Sequence, residues 1–301
     1  MNGIITKDTA LNAIIMKYLS SIDVKEITRG YYRKDITYFF EWVKSSRTAL
    51  SENILIEYKR ALQAKGFSSL TINAYLTGIK KFMGYLFQNG IIKVNPGQNL
   101  KMLTIPSGYL REPFTVEQVR MILNAIDRKS IEGKRDFALV NLLARCGLRT
   151  IEIIGSNIDD IKTKTGKQVL YVHGKKRDDK DDFVVLTKEA YQSLKEYLSA
   201  REPYNIDAPL FISHSNKNIG GKLSTRGIRN ILEKYIRITG LTSIGLSCHC
   251  FRHFAATSSL MNGCDVVKVQ KMLRHKDLSS TMRYVHVLDR LENAAETFVK
   301  I

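Results

Sequence analysis

Residues 71–89 place Ile72, Leu76, Ile79, Phe82, Met83 and Leu86 at three- and four-residue spacing, while Lys80 and Lys81 point elsewhere. On a helix of 3.6 residues per turn this spacing gathers the apolar side chains into one stripe, which has to be buried against a neighbour. Three earlier segments carry the same period: Leu11, Ile14, Ile15, Tyr18 and Leu19; Tyr31, Ile36, Phe39, Phe40 and Val43; and Ile54, Ile56, Tyr58 and Leu62. Helices that each need a partner predict a small bundle over the first hundred residues. Gly90 closes the last helix, and Asn95-Pro96-Gly97 breaks the period. Pro106, Ser107 and Gly108 follow in a stretch with little pattern. The expected organisation is a helical domain over residues 1–105, a linker over 106–113 and a second domain over 114–301, a length ample for two separate cores.

The helical period resumes at Thr115, which can cap a helix with Gln118 at the capping-box position. A further helix is expected from Asp136 to Cys146, ended by Gly147. Between residues 168 and 186 the period changes to that of strands, with Val169-Leu170-Tyr171-Val172, a polar turn from Lys175 to Asp182, and Phe183-Val184-Val185-Leu186. This reads as a β-hairpin inside a helical domain. Helices then cover roughly 187–200, 224–238, 251–262 and 265–273, Gly263 and Asp265 supplying the stop and start between the last two. The fold class is therefore mainly α with a small β-hairpin or sheet (α+β).

Composition narrows the setting. At 44% hydrophobic and 25% charged residues, with 5 prolines, the chain has the make-up of a soluble globular protein. The segment from Met1 to Asp8 lacks the basic head and apolar middle of a signal peptide, and no stretch approaches the ~20 apolar residues of a membrane span. A cytoplasmic protein with no membrane partner is expected. Cys146, Cys248, Cys250 and Cys264 fit no disulfide framework and lack a second Cys/His pair at zinc-finger spacing, so they read as small apolar residues in a reducing compartment. The net charge is +18. It is carried by both parts, with 15 Lys+Arg against 7 Asp+Glu over residues 1–105 and 32 against 22 over the rest. Neutralising a polyanion with that much Lys and Arg releases counterions, so the charge points to a polyanion partner such as a duplex, while by itself it fits a soluble basic protein or a membrane-surface binder as well.

Phosphodiester chemistry without a metal needs cations fixed against phosphate oxygens, proton donors and acceptors, and a nucleophile. The second domain holds candidates for each. Arg149, in Cys146-Gly147-Leu148-Arg149-Thr150-Ile151-Glu152, lies where one helix ends and another begins, and Glu152 one turn later can hold its guanidinium. Lys175 lies at the tip of the hairpin. His249 precedes Arg252 by three residues and so shares a helical face with it. His275 follows in Met272-Leu273-Arg274-His275, and Tyr284 in Thr281-Met282-Arg283-Tyr284-Val285-His286. Each has an ordinary alternative: a surface ion pair, a solvated lysine, a partly buried histidine, one tyrosine among 14.

Order and spacing together are more specific. The set resembles the tyrosine recombinase family, which includes phage integrases and bacterial chromosome-dimer-resolution recombinases. The family pattern is an arginine in Gly-Leu-Arg-x-x-Glu, a hairpin lysine, His-x-x-Arg, a Leu-Gly-His-like triplet and Tyr-x-His about nine residues on. Here the matches are Arg149 with Glu152, Lys175, His249 with Arg252, His275, and Tyr284 with His286, the interval from His275 to Tyr284 being nine residues. In the first part, Leu70-Thr71-Ile72-Asn73 through Phe82, with Asn95-Pro96, is similar to the family's core-binding domain, which makes Thr71, Asn73, Thr77, Lys80 and Lys81 candidate DNA-contacting residues. Two departures stand out. Arg274 occupies the place where the family usually has glycine. The hairpin turn is longer and more acidic than usual, with Asp178, Asp179, Asp181 and Asp182, so Lys176, Arg177 or Lys180 compete with Lys175.

The resemblance implies a site-specific recombinase or integrase. Tyr284 would attack the scissile phosphate to give a 3′-phosphotyrosine, Arg149 and Arg252 would hold the non-bridging oxygens, and His249 would accept the phenol proton. Lys175 would protonate the leaving 5′-oxygen, His275 would complete the clamp, and Glu152 and His286 would support. No cofactor is implied, since one phosphoester is exchanged for another. The implied partners are double-stranded DNA carrying a recombination site and a homotetramer on two such sites, each protomer closing on DNA as a C-shaped clamp. An accessory DNA-bending protein is left open. The tail after Tyr284, with Val287, Leu288, Leu291, Ala294, Ala295, Phe298 and Val299 at helical spacing, makes an apolar stripe that can pack into its own catalytic domain, whereas the resemblance favours docking on a neighbouring protomer. A type IB topoisomerase would use nearly the same residues, a helical DNA-binding regulator would explain charge without the site, and a metal-dependent nuclease would need clustered carboxylates.

Overall fold

The computed structural model describes residues 8–48, 50–105, 113–173, 180–244, 247–292 and 298–299. It divides into two compact units, Met1–Ser107 and Gly108–Ile301. The first holds α1 (Asp8–Ser21), α2 (Glu26–Ser46), α3 (Ile54–Ala64) and α4 (Ser69–Gln88). Their stripes meet as the periodicity requires: Tyr18, Ile36, Phe39, Tyr58, Leu62, Ile72, Leu76, Ile79 and Phe82 share one buried core. Ser68 caps α4 by accepting the Thr71 N–H at 3.3 Å. The chain leaving this unit is tied back to α4, because the Asn73 side-chain amide donates to the Leu103 carbonyl and accepts from the Leu103 N–H, at 2.8 and 2.9 Å.

The second unit begins with α5 (Val116–Asn124), opened by the expected capping box: Thr115 Oγ1 accepts the Gln118 N–H, and Gln118 Oε1 accepts the Thr115 N–H. α6 (Ile131–Cys146) is the central helix, starting five residues before the expected Asp136 because Ser130 caps it through the Gly133 N–H. Its residues Ala138, Leu139, Val140, Leu142 and Leu143 are all buried. Short α7 (Thr150–Gly155) follows, then β1 (Ile161–Lys164), β2 (Lys167–Val172) and β3 (Asp182–Val185). The remaining helices are α8 (Lys188–Ser199), α9 (Thr225–Ile238), α10 (Cys248–Met261), α11 (Val266–Leu273) and α12 (Ser279–Glu292).

The β element is a three-stranded antiparallel sheet in the order β1-β2-β3, one strand more than the expected hairpin. Val169 pairs with Val185 and Leu170 with Val184, while Ile161 pairs with Leu170 on the other edge. The added strand, Ile161-Lys162-Thr163-Lys164, has little apolar alternation and is mostly exposed. It is held in place by the two-residue turn Thr165-Gly166, whose φ values of 45° and 75° are both left-handed, the type I′ geometry that suits a hairpin. Among the described residues no helix is long and apolar enough to cross a membrane. Cys146 and Cys250 are buried, Cys248 and Cys264 half-buried, and all four are free thiols.

Candidate active site

One glycine decides how close the site's parts can come. Gly147 ends α6 with φ 58°, a left-handed turn that a side chain rarely tolerates. A Cβ there would lie 2.9 Å from Leu273 Cδ2 and 3.5 Å from the Ala255 methyl, so its absence lets the loop 147–149 pack directly on α10 and on the end of α11. Three arginines converge on that loop. Arg252, on the buried face of α10 and 1% exposed, donates from Nη1 to the Gly147 carbonyl at 2.6 Å and from Nη2 to the Leu273 carbonyl. Arg274, just past α11, also reaches the Gly147 carbonyl, at 3.4 Å. Arg149 begins α7 and donates to the Arg274 carbonyl at 3.4 Å.

Glu152 is the carboxylate of this cluster and is 4% exposed. It accepts from Arg149 Nη1 at 2.7 Å and from the Arg149 backbone N–H at 2.7 Å. Arg274 adds a fork, Nε to Oε1 at 3.2 Å and Nη2 to Oε2 at 2.7 Å. Burial alone would raise the Glu152 pKa, but the hydrogen bonds and charge of Arg274, together with those of Arg149, hold it below the usual carboxylate value. With three guanidinium groups to one carboxylate, positive charge is left over. Burial, then the fields of Arg149 and Arg274, push the Arg252 pKa down to about 9. The cluster is short of an anion.

Arg274 was noted in the sequence only as a departure. Its φ is 52°. A residue with a Cβ held there costs roughly 1–3 kcal/mol, so the surroundings must hold it in place. They do, through the Glu152 fork and an Nη1 bond to the Met272 carbonyl at 2.6 Å.

His275 and Tyr284 are set by α12. Asp265 caps α11 through the Val267 N–H at 2.8 Å and the Lys268 N–H at 3.3 Å, and α11 ends on Leu273. The next turn brings His275 Nδ1 to 2.9 Å from Thr281 Oγ1. Burial first, and then Arg252, Arg149, Arg283 and Arg274, lower the His275 pKa to about 4, so the ring is neutral near pH 7. Tyr284 is buried at 4% exposure with Ala256, Val269 and Leu273. Burial raises its phenol pKa while Arg252, Arg283 and Arg149 pull it down, the balance remaining upward.

His249 is exposed in the first turn of α10, and its ring meets that of His253 edge-on at 4.5 Å. His253 is buried, and its ring also lies 5.3 Å from that of Tyr284, so it contacts both the candidate proton acceptor and the candidate nucleophile. Its four-residue offset from His249 was the available signal. Arg149 and His249 share the wall of a hollow of about 390 Å³ with Arg229 and Thr225, so the exposed part of the site opens onto a further cation from α9. His286 is exposed two residues beyond Tyr284.

Lys175, Lys176 and Arg177 lie outside the described residues. Lys180, their described competitor, is ion-paired to Asp160, which also accepts the Asn157 N–H at 2.6 Å. In the first unit the five candidate DNA-contacting residues all have internal partners. Thr71 meets Ser68, Thr77 donates to the Asn73 carbonyl, and Asn73 is taken up by Leu103. Lys80 donates to the Leu100 carbonyl at 3.3 Å, and Lys81 to the Tyr32 hydroxyl at 2.8 Å.

Residues 112–290 match the phage integrase family. Tyrosine recombinase XerC of Thermodesulfovibrio yellowstonii is 31% identical over 85% of this chain and 84% of its own. Tyrosine recombinase XerD of Listeria innocua serovar 6a is 27% identical over 95% of each chain. Among solved structures, the XerH site-specific recombinase bound to palindromic difH substrate aligns with a TM-score of 0.73 at 21% identity, over 96% of this chain and 84% of that one. A Tn1549 transposon integrase in complex with transposon right end DNA aligns with a TM-score of 0.70 at 16% identity, over 93% and 98%. The last two likenesses show that the fold is shared.

Proposed function

The chain belongs to the phage integrase family, a family of tyrosine recombinases, and from that premise we propose that Tyr284 is the nucleophile of site-specific DNA strand exchange. The observation that carries this reading is the excess of positive charge beside a buried tyrosine: among the described residues Arg149, Arg252 and Arg274 gather around Glu152, and the fields of Arg252, Arg283 and Arg149 reach Tyr284. A phosphodiester supplies the missing anion. Double-stranded DNA is the partner, and the relatives' structures on recombination-site DNA support that choice.

In the proposed step, Tyr284 Oη bonds to the scissile phosphorus and the bond to the 5′-oxygen breaks, leaving a 3′-phosphotyrosine and a 5′-hydroxyl. His249 takes the phenol proton. A free phenol has a pKa of about 10, and burial makes ionisation harder still, so the phosphate must arrive together with a base. Arg149 and Arg252 hold the non-bridging oxygens, where a low dielectric strengthens each bond. Neutral His275, with Nδ1 2.9 Å from Thr281 Oγ1, donates to the phosphate from Nε2 in the tautomer that carries its proton there. Lys175 protonates the departing 5′-oxygen. Attack by a partner strand's 5′-hydroxyl reverses the step and frees Tyr284. The energy of one phosphoester is kept in the next.

Residues 1–105 serve as the core-binding domain and 114–301 as the catalytic domain, acting as four protomers on two duplexes. The topoisomerase and regulator alternatives are not favoured by the relatives, which are recombinases and integrases. Incubating the protein with two differently labelled duplexes carrying its site tests the proposal. Exchanged products are expected; rejoining confined to the parental strands would contradict it.

A further inference from the structure

Arg274 is the member of the cluster that the proposed chemistry leaves without a task. Its side chain is as buried as the carboxylate it grips, 4% and 3% exposed, so the pair is closed off from solvent. Glu152 has two oxygens, and each takes one bond from Arg149 and one from Arg274. The Arg274 fork, made through Nε and Nη2 together, fixes the plane of the carboxylate in a way one bond cannot. That plane aims the Arg149 guanidinium, which stays 28% exposed and so faces the side from which substrate arrives. The backbone points the same way: a left-handed residue at φ 52° would be met at least strain by glycine, yet an arginine is kept there with its side chain folded back onto α7.

We propose that Arg274 is a positioning residue, which shares Glu152 with Arg149 and thereby holds the Arg149 guanidinium in register with the scissile phosphate. This rests on the reading of Arg149 as a phosphate clamp. The alternative is that Arg274 only ties down carbonyls, since it also donates to Met272 and Gly147. The two roles differ in what happens to Glu152. Among the described residues the charged groups facing Glu152 are Arg149 at the head of its own helix, Arg274 at the end of α11 and Arg252 from α10. Without Arg274 the carboxyl stays buried, and burial is the largest influence on it, raising its pKa. Glu152 then takes up a proton at a higher pH than in the intact protein, and Arg149 loses its hold.

The test compares the full chain with R274G and R274K in single-turnover cleavage of a nicked duplex that traps the covalent adduct, from acidic to neutral pH. Glycine relieves the backbone strain but removes a buried ion-pair partner, so R274G is expected to unfold at a lower temperature than the wild type, to remain folded at the assay temperature by its melting curve, and to bind DNA normally. Its cleavage is expected to be roughly a hundred-fold slower, the loss that a misplacement near 1 Å can cause. Its rate is also expected to fall on the acid side at a higher pH than the wild-type rate does. R274K retains a cation without the fork and is expected to remain slow. Wild-type rate and an unmoved acid limb in R274G overturn the assignment, as does full recovery with lysine. A wild-type chain that forms no adduct at any pH overturns the underlying reading and takes this one with it, whereas an adduct in wild type with R274G unchanged overturns this one alone.

Discussion

Arg252 illustrates what a buried charge in this unit requires. Two carbonyls, of Gly147 and Leu273, take its N–H groups, and its pKa is held down to about 9 by burial and two neighbouring arginines. A lysine in its place keeps a charge but cannot bridge both carbonyls and a phosphate in one plane. R252K is expected to bind site DNA yet cleave it about a hundred-fold more slowly or worse, read as adduct yield over time; cleavage within a few-fold of wild type would count against the clamp. His275 gives a pH-dependent counterpart. Its folded pKa, about 4, lies below the ordinary histidine value of 6.5, so the unfolded chain takes up the proton first as pH falls. Its contribution to stability is complete above pH 6.5 and is lost as pH drops from there through 4. A proton-NMR titration of the DNA-free protein should place the His275 midpoint well under 6.5, and a midpoint at or above that value would contradict the burial argument. Arg149, Glu152, Arg252, His275 and Tyr284, singled out in the sequence by an order and spacing that resemble the family pattern, are brought close together by the fold. Arg274 and His253 were not legible in the sequence as site residues, since the left-handed turn that folds one back and the ring contacts of the other exist only after α10, α11 and α12 pack.

Elements with both a period and a cap were legible to within a few residues. α5 has Thr115 with Gln118, and α11 has Asp265 after Gly263. β1 was not legible: Ile161-Lys162-Thr163-Lys164 lacks apolar alternation, and only the Thr165-Gly166 turn marked it. Caps also make elements testable. Asp265→Ala removes the acceptor for two N–H groups at the head of α11 and should cost about 1 kcal/mol, a fall in Tm of roughly 2–4 °C for a domain of this size. An unchanged Tm would mean that packing on Val269 and Leu273 holds α11 by itself. Of the apolar stripe in the tail, Ala294 and Ala295 lie outside the described residues, and Phe298 and Val299 are 81% and 67% exposed; we propose that the stripe finds cover on a neighbouring protomer. A chain ending after Asp289 is expected to bind its site but to lose strand exchange. Recombination by that chain at the full rate would rule out docking of the tail.

For the molecule as a whole, charge is the property that both units share. Residues 1–105 carry 15 Lys+Arg against 7 Asp+Glu, and the rest of the chain 32 against 22. Each unit also has a separate apolar core. Affinity for site DNA should therefore fall steeply and log-linearly with salt, with each unit binding weakly alone and the linked chain far more tightly. A first unit without DNA affinity at low salt would require another role for it. The most direct measurement concerns the covalent bond itself. The protein is incubated with a nicked site duplex that traps cleaved product, and the modified peptide is identified by mass spectrometry. A nucleotide attached through its 3′-phosphate to Tyr284 is expected, with Tyr284→Phe binding the duplex normally and giving no adduct. An adduct on another residue, or wild-type adduct yield from Tyr284→Phe, would contradict the assignment of Tyr284 as the nucleophile.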